Sequence, residues 1–423
     1  MRTTSFIAAA TATAFVVALG FLAADRGEGS GPAGPPLPAG LRAGAAGAAG
    51  DARAGARATT DARIAALSAR LRTRAADADG YALLAAAFLQ KVRETGDPGY
   101  YARADRALAR AFELEPASAA AFTQRGSLRL SRHDFAGALR DGRRAHALAP
   151  VAIEPYRVLV DANVELGRLG TAARTLQRMI DLKPDLAAYA RVSYLRELHG
   201  DLAGARRAIE LAVAAGGATP ENTAYVQTLL GDLELGRGHR RAAACAYRAG
   251  LRGFPGYVRA QAGLARVSAA AGDLPRAIAA LRGVVQRLPL PEYSVALGEA
   301  ELAAGRAGAA RRDLALVRAQ ERLLRGAGVN TDAEVALFEA QYGDRARAVA
   351  LGRAAWRSAP SARSADALGW ALTHAGRPAA GLIWGMRALA PGGRDAMQLY
   401  HAGMSARAAG RADLARTLLR RAL

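Results

Sequence analysis

A single cysteine, Cys245, occurs in the 423 residues. One thiol excludes both a disulfide framework and a cysteine-built metal cage, and it lies far from the N-terminus, where a lipid-attachment cysteine would have to be. Lysine is nearly missing too: apart from Lys91 and Lys183, the 58 basic residues are all arginine. Aromatic residues are sparse at 6%, so a core has to be built largely from small aliphatic side chains. The six histidines, His133, His146, His199, His239, His374 and His401, fall far apart and mostly near turns, and none forms an H-E-x-x-H or other metal-ligand spacing. No G-x-S-x-G elbow and no phosphate loop occurs. Runs such as "LAAGRAG" follow a helix rather than a strand, so they read as turns and not as phosphate cradles. The sequence offers no catalytic residue, no metal site and no cofactor site, and it reads as a non-enzyme.

What is abundant is alanine, glycine and arginine. Half of the chain is hydrophobic (51%), so most of it has enough apolar surface to fold. Basic residues outnumber 37 acidic ones for a net charge of +21. Arginine in place of lysine, beside so much alanine and glycine, carries the mark of GC-rich coding, and the charge is a weak pointer to nucleic acid. It also suits acidic proteins, anionic head groups or cell-wall polymers.

The opening "MRTTSFIAAATATAFVVALGFLAADRGEGS" places Arg2 before an uncharged run from Thr3 to Ala24, with charge returning at Asp25 and Arg26. A signal-peptide core runs about 7–15 apolar residues and a spanning helix about 20. Residues 1–24 are therefore expected to be a hydrophobic anchor helix that leaves the remainder facing outwards; the alternative is a cleaved signal peptide and a secreted chain. Residues 25–60, with "GSGPAGPPLPAGLRAGAAGAAG", read as a disordered Gly/Pro/Ala-rich linker.

Residues 61–423 carry helix signals throughout. "TTDARIAALSARLRTRA" begins with the capping types Thr60 and Asp61 and sets Ile64, Leu67 and Leu71 on one helical face. Prolines then follow apolar helices at a nearly fixed interval. Pro116, Pro150 and Pro184 are 34 residues apart, Pro220, Pro255 and Pro289 continue at 36, 35 and 34, and Pro360 and Pro391 resume the pattern. Within an interval a Leu-Gly or Leu-Ala pair, such as Leu230-Gly231 or Leu264-Ala265, lies in a first helix. A turn glycine follows, and five residues later an alanine: Gly167 and Ala172, Gly200 and Ala205, Gly238 and Ala243, Gly272 and Ala277, Gly305 and Ala310, Gly343 and Ala348, Gly410 and Ala415. Small residues let antiparallel helices approach closely, glycine accepts the left-handed backbone that ends the first helix, and proline stops the second.

This pattern resembles the tetratricopeptide repeat (TPR) family, whose units are 34-residue helix–turn–helix pairs, and is identified with its actinobacterial-type extracytoplasmic members. The resemblance covers roughly Asp79 to Leu423 and implies an all-α, right-handed superhelical solenoid of about ten repeats. Four departures stand out. The first unit has the long turn "ETGDPGYY", the unit after Pro289 has the extended helix "AGAARRDLALVRAQERLLRGAG", His133 replaces the turn glycine of the second unit, and the unit ending at Pro391 is short.

The resemblance also implies that partners bind in the groove lined by the first helices. On that basis the candidate groove residues are Asp366 and Trp370, with Thr373, in one unit and Met397, Tyr400, Met404 and Arg407 in the last; the alternative is that Trp370 and Tyr400 supply packing bulk. These types are common at interaction hot spots. From Arg345 onward thirteen arginines face only Asp366, Asp395 and Asp413, which points to a partner with acidic character. Arg157 with Asp161, and Arg191 with Tyr194, do not match the family's peptide-carboxylate clamp. Cys245, Trp356 and Trp384, all in second helices, are expected in the core. No polar capping helix follows the last repeat, so Leu414, Leu418 and Leu423 are expected to leave an apolar end open to self-association. The expected function is a membrane-tethered, outward-facing protein-interaction scaffold; the alternative is binding of an anionic polymer, cell wall or nucleic acid, through the C-terminal arginines.

Overall fold

The computed structural model describes residues 59–217 and 219–423. The expected anchor helix, Met1–Ala24, and nearly all of the linker lie outside the described residues. Among the described residues there are 21 α-helices and no strand, and no helix is long and apolar enough to cross a membrane. Helix α1 (Thr60–Thr73) precedes ten antiparallel pairs. The first five are α2/α3 (Ala78–Thr95, Gly99–Leu114), α4/α5 (Ala119–Ser131, Phe135–Leu148), α6/α7 (Glu154–Glu165, Leu169–Leu182), α8/α9 (Leu186–Leu198, Leu202–Ala215) and α10/α11 (Pro220–Gly236, Arg240–Gly253). The second five are α12/α13 (Val258–Ala270, Leu274–Arg287), α14/α15 (Pro291–Ala303, Ala307–Gly326), α16/α17 (Asp332–Tyr342, Arg345–Ser358), α18/α19 (Ala362–His374, Pro378–Leu389) and α20/α21 (Ala396–Ala408, Ala412–Ala422).

Local chemistry sets the helix ends. Thr59 caps α1 by accepting from the Ala62 amide at 3.2 Å, one residue before the expected start. In several units the left-handed turn residue is followed by an aspartate that caps the second helix. Asp134 accepts from Gly137 at 2.9 Å, and Asp201 from Gly204 at 2.8 Å. The alanines five residues past the turn glycines are all buried, each at a helix–helix contact that a larger side chain would hold apart. Gly343 departs from the expected pattern: its φ is −143°, an extended conformation, and only then does Asp344 cap α17. In the next pair the left-handed residue is Gly376.

The first helices form the inner wall, and the solenoid closes on itself. The turn of each early unit meets a joint between two later units. Gly96, in the first turn, packs on Leu288 at the end of α13. In the second turn Arg132 donates from Nε to the Ala327 carbonyl at 2.9 Å and its own carbonyl accepts from the Asn330 amide at 2.9 Å. The neighbouring His133 Nδ1 lies 2.7 Å from the Asn330 carbonyl. Gly167 abuts the Pro360 carbonyl and Gly200 the Gly392 carbonyl, so a Cβ at either glycine would strike backbone. These two positions need glycine twice over, for a φ of 69° and 76° and for the approach of a second chain segment. Between the walls, Gln90 of α2 donates to Glu221 of α10 at 3.1 Å.

Candidate functional site

Closing the superhelix turns its concave groove into a chamber of about 420 Å³. Its wall comes from the first helices: Glu165 of α6, Tyr194 and Glu197 of α8, Tyr225 and Asp232 of α10. Across it stand Arg259 and Arg266 of α12, Glu292 and Tyr293 of α14, Arg363 of α18, and Asp395 and Gln398 at the start of α20. First helices present one residue per turn to the concave side because their other faces are taken up by neighbours. These polar side chains stand within a mostly apolar lining, to which the second helices add Leu169, Leu202, Leu281 and Trp356.

Most of the wall is internally tied. Asp232 accepts from both Tyr247, at 2.7 Å, and Arg266. Arg363 pairs with Glu334 at 2.7 Å. Deeper in the same helices a bidentate pair joins Arg191 to Asp161, with Nε–Oδ1 at 2.8 Å and Nη2–Oδ2 at 2.7 Å, both residues buried. Other wall groups are not tied. Neither carboxylate oxygen of Glu292 has a hydrogen-bond partner, although both are sealed from solvent. Glu197 receives only the Ser193 hydroxyl, at 3.2 Å, from one turn back on its own helix. Burial pushes Glu165 and Glu292 up to about 7 and Glu197 up to about 8, because a carboxylate there gives up water without a full replacement. Burial also raises Tyr225 to about 12.

The C-terminal groove residues take a different position. Asp366 and Trp370 are 6% and 7% exposed, and neither lines the chamber. Asp366 holds His401 Nδ1 at 3.0 Å, and the His401 ring stacks on Trp370 with centroids 4.2 Å apart. Met397, Tyr400 and Met404 are half-buried beside them and Arg407 is exposed. The structure therefore gathers Asp366, Trp370 and Tyr400 around His401, a histidine in mid-helix rather than at a surface turn. At the end of the array Leu418 is buried in the last pair at 2% exposure, Leu414 is half-buried, and Leu423 is 85% exposed. Leu418 thus belongs to the core of the last pair and not to an open end.

Three core expectations need correction. Cys245 is exposed, because Ala243, Ala244, Ala246 and Tyr247 take the inward positions of α11. Trp356 and Trp384 are only half-buried. They stack edge to face at 4.8 Å with Arg387 lying over both rings, and Trp356 and Arg387 also border the chamber. Sequence reasoning passed over Glu165, Glu197 and Glu292, which looked like ordinary solvated charges. A hint was present: each lies in a first helix, the helices that the repeat places inside. No group of three or more His, Cys, Asp or Glu able to hold a metal ion occurs among the described residues.

The ten helix pairs, their left-handed turns and their buried alanines make the described chain a TPR-like solenoid. Solved structures of TPR proteins are similar to it. The Thermus thermophilus TPR protein TTC0263 is 22% identical over 41% of this chain and 91% of its own, with a TM-score of 0.37. The Cut9–Hcn1 hetero-tetramer of the APC/C matches at 16% identity over 82% of this chain and 63% of that one, TM-score 0.48. PilF of Pseudomonas aeruginosa matches at 19% over 51% of this chain and 94% of its own, TM-score 0.37. No family model and no curated protein matches the sequence. These likenesses concern the repeated helix pair and carry no functional argument.

Proposed function

We propose that this protein is a non-enzymatic interaction scaffold that takes an extended segment of a protein partner into the chamber of its superhelix. The observation that carries the reading is the enclosed wall of Glu165, Tyr194, Glu197, Tyr225 and Gln398, polar and aromatic groups on packed helices with room between them. A frame of this kind presents side chains without ordering loops, which lowers the entropic cost of binding. The hydrophobic run of residues 1–24 and the linker after it support tethering to a membrane with the solenoid on the outer side.

The test is site-specific photo-crosslinking with the full chain in its native envelope fraction. A photoreactive residue at Gln398, inside the chamber, is expected to capture a defined protein partner, and one at Arg241, exposed on the second-helix face of α11, is not. Equal capture from both positions, or none from Gln398, contradicts the reading. Fractionation of the same cells, with sequencing of the mature N-terminus, tests the tether.

A further inference from the structure

A second concavity, of about 330 Å³, lies between the second helices α17 and α19. The buried Leu368 and Leu372 of α18, with Ala380 of α19, give it an apolar floor. Trp356 and Trp384 stand in it edge to face, and the exposed Arg353, Arg357 and Arg377 complete the lining. Arg387 lies over both rings, 5.3 and 4.8 Å from their centroids. Along α19, Ile383 (67% exposed) and Met386 (40%) widen the apolar surface.

Helix packing does not call for this pair of indoles. The three helices meet through glycines: a Cβ at Gly352 would come within 2.9 Å of the Leu368 Cα, and one at Gly369 within 2.9 Å of the Gly381 carbonyl and the Gly385 amide. The indoles lie beside these closed contacts and keep part of their surface in water, an exposure that a smaller side chain would avoid. The charges are as one-sided. Helices α17 and α19 contain no acidic residue, and the single one between Arg345 and Arg394, Asp366, is buried against His401. Among the described residues none of Arg353, Arg357, Arg377 and Arg387 forms an ion pair. On other second helices exposed arginines meet a carboxylate of their own helix, Arg110 with Glu113 at 2.8 Å and Arg206 with Glu210 at 3.0 Å. Tryptophan, methionine and arginine are the types that protein interfaces favour, and guanidinium groups gathered on one furrow repel one another until an anion joins them.

We propose that this furrow docks an acidic segment of a protein partner, which seats an aromatic side chain against Trp356 and Trp384 and sets carboxylates against the arginines. Concave shape favours this occupant over an anionic membrane, because the half-buried indoles lie within a ring of exposed arginines and a partner side chain can enter between them. The site goes beyond the chamber and does not need the chamber to be filled. Trp356 borders both, but Arg353, Arg357, Arg377 and Trp384 do not line the chamber.

Fluorescence anisotropy on the full chain at low ionic strength tests this with labelled, end-blocked Gly/Ser nonapeptides. One carries a phenylalanine between two pairs of glutamates, a second replaces that phenylalanine with glycine, and a third replaces the glutamates with lysines. The first is expected to bind, the second to bind about tenfold more weakly, and the third not to bind. Trp384→Ala, and Arg353→Gln combined with Arg357→Gln, are each expected to weaken the first peptide about tenfold. Arg241→Gln, exposed on α11, is expected to leave it unchanged. The arginine pair is exposed, so its replacement keeps the fold even if Trp384→Ala does not. Equal binding of the first two peptides, or indifference of the first to both furrow variants, overturns the site. So does failure of the first peptide to bind. Binding of phosphatidylglycerol vesicles in place of the peptide, lost in Trp384→Ala, overturns the protein partner in favour of a membrane surface. Each of these failures leaves capture at Gln398, and with it the scaffold reading, standing.

Discussion

Tyr247 shows how single residues set the spacing of this array. Its ring is fully buried, its hydroxyl is fixed to Asp232, and it lies between Gly231 of its own unit's first helix and Gly263 of the next. A Cβ at Gly231 would fall 2.5 Å from the ring, and one at Gly263 would also overlap it. In an open helix, Gly→Ala stabilises by roughly 1 kcal/mol. Here Gly263→Ala is expected to destabilise by about 1–3 kcal/mol through overpacking, so chemical denaturation decides by sign alone. The Leu230-Gly231 pair was legible in the sequence as a small-residue contact, but the ring that fills it was not, because Tyr247 lies 16 residues away on another helix. Asp161 has a different role. Removing it as Asp161→Ala leaves Arg191 buried without its bidentate partner, at an expected cost of about 3–5 kcal/mol by the same measurement.

At the scale of elements, the repeats were readable because their signals are local: a glycine, an alanine five residues on, a proline at the exit. The longer-range joins were not. Two departures from the repeat were visible separately, His133 in place of glycine and the lengthened α15. The structure brings them together, since α15 carries Ala327–Asn330 to the turn where His133 sits. His133 adopts a φ of 59°, costly for a residue with a Cβ, and in return reaches the Asn330 carbonyl. Helix α15 is held in place from its side. Arg318 grips the buried Glu339 of α16 at 2.7 Å, and Glu321 meets Arg347 of α17 at 3.3 Å. His133→Gly should relieve the turn while loosening the join. Hydrogen exchange is expected to show faster exchange at the Asn330 amide, which donates to Arg132, with helix amides of α4 and α16 unchanged. Unchanged exchange at Asn330 would mean that His133 does not hold the join.

For the whole molecule, closure has a consequence in pH. Glu165, Glu197 and Glu292 have folded values of about 7, 8 and 7, above their ordinary value of 4.5. Between those limits the folded chain binds more protons than the unfolded one, so stability falls as pH rises. The contribution is fully present below about pH 4.5 and lost by about pH 8. The melting temperature should decline across this range, and Glu197→Gln should flatten the upper part of the decline. Groove residues proposed from sequence, Asp366 and Trp370, were chosen for type and helical spacing, which locate a first helix but not the depth of its residues. The enclosed wall depends on how many units complete a turn, a property of small angles summed over the array.

The closed superhelix is the central claim, and an intramolecular cross-link tests it most directly. In a Cys245→Ser background, cysteines replace Arg168 and Pro360, both exposed and flanking the contact between Gly167 and the Pro360 carbonyl. A short bismaleimide is expected to join them within one chain at high yield, detected by intact mass and by a linked peptide. An open solenoid would leave both cysteines singly modified with no intramolecular link, and that result would contradict the account.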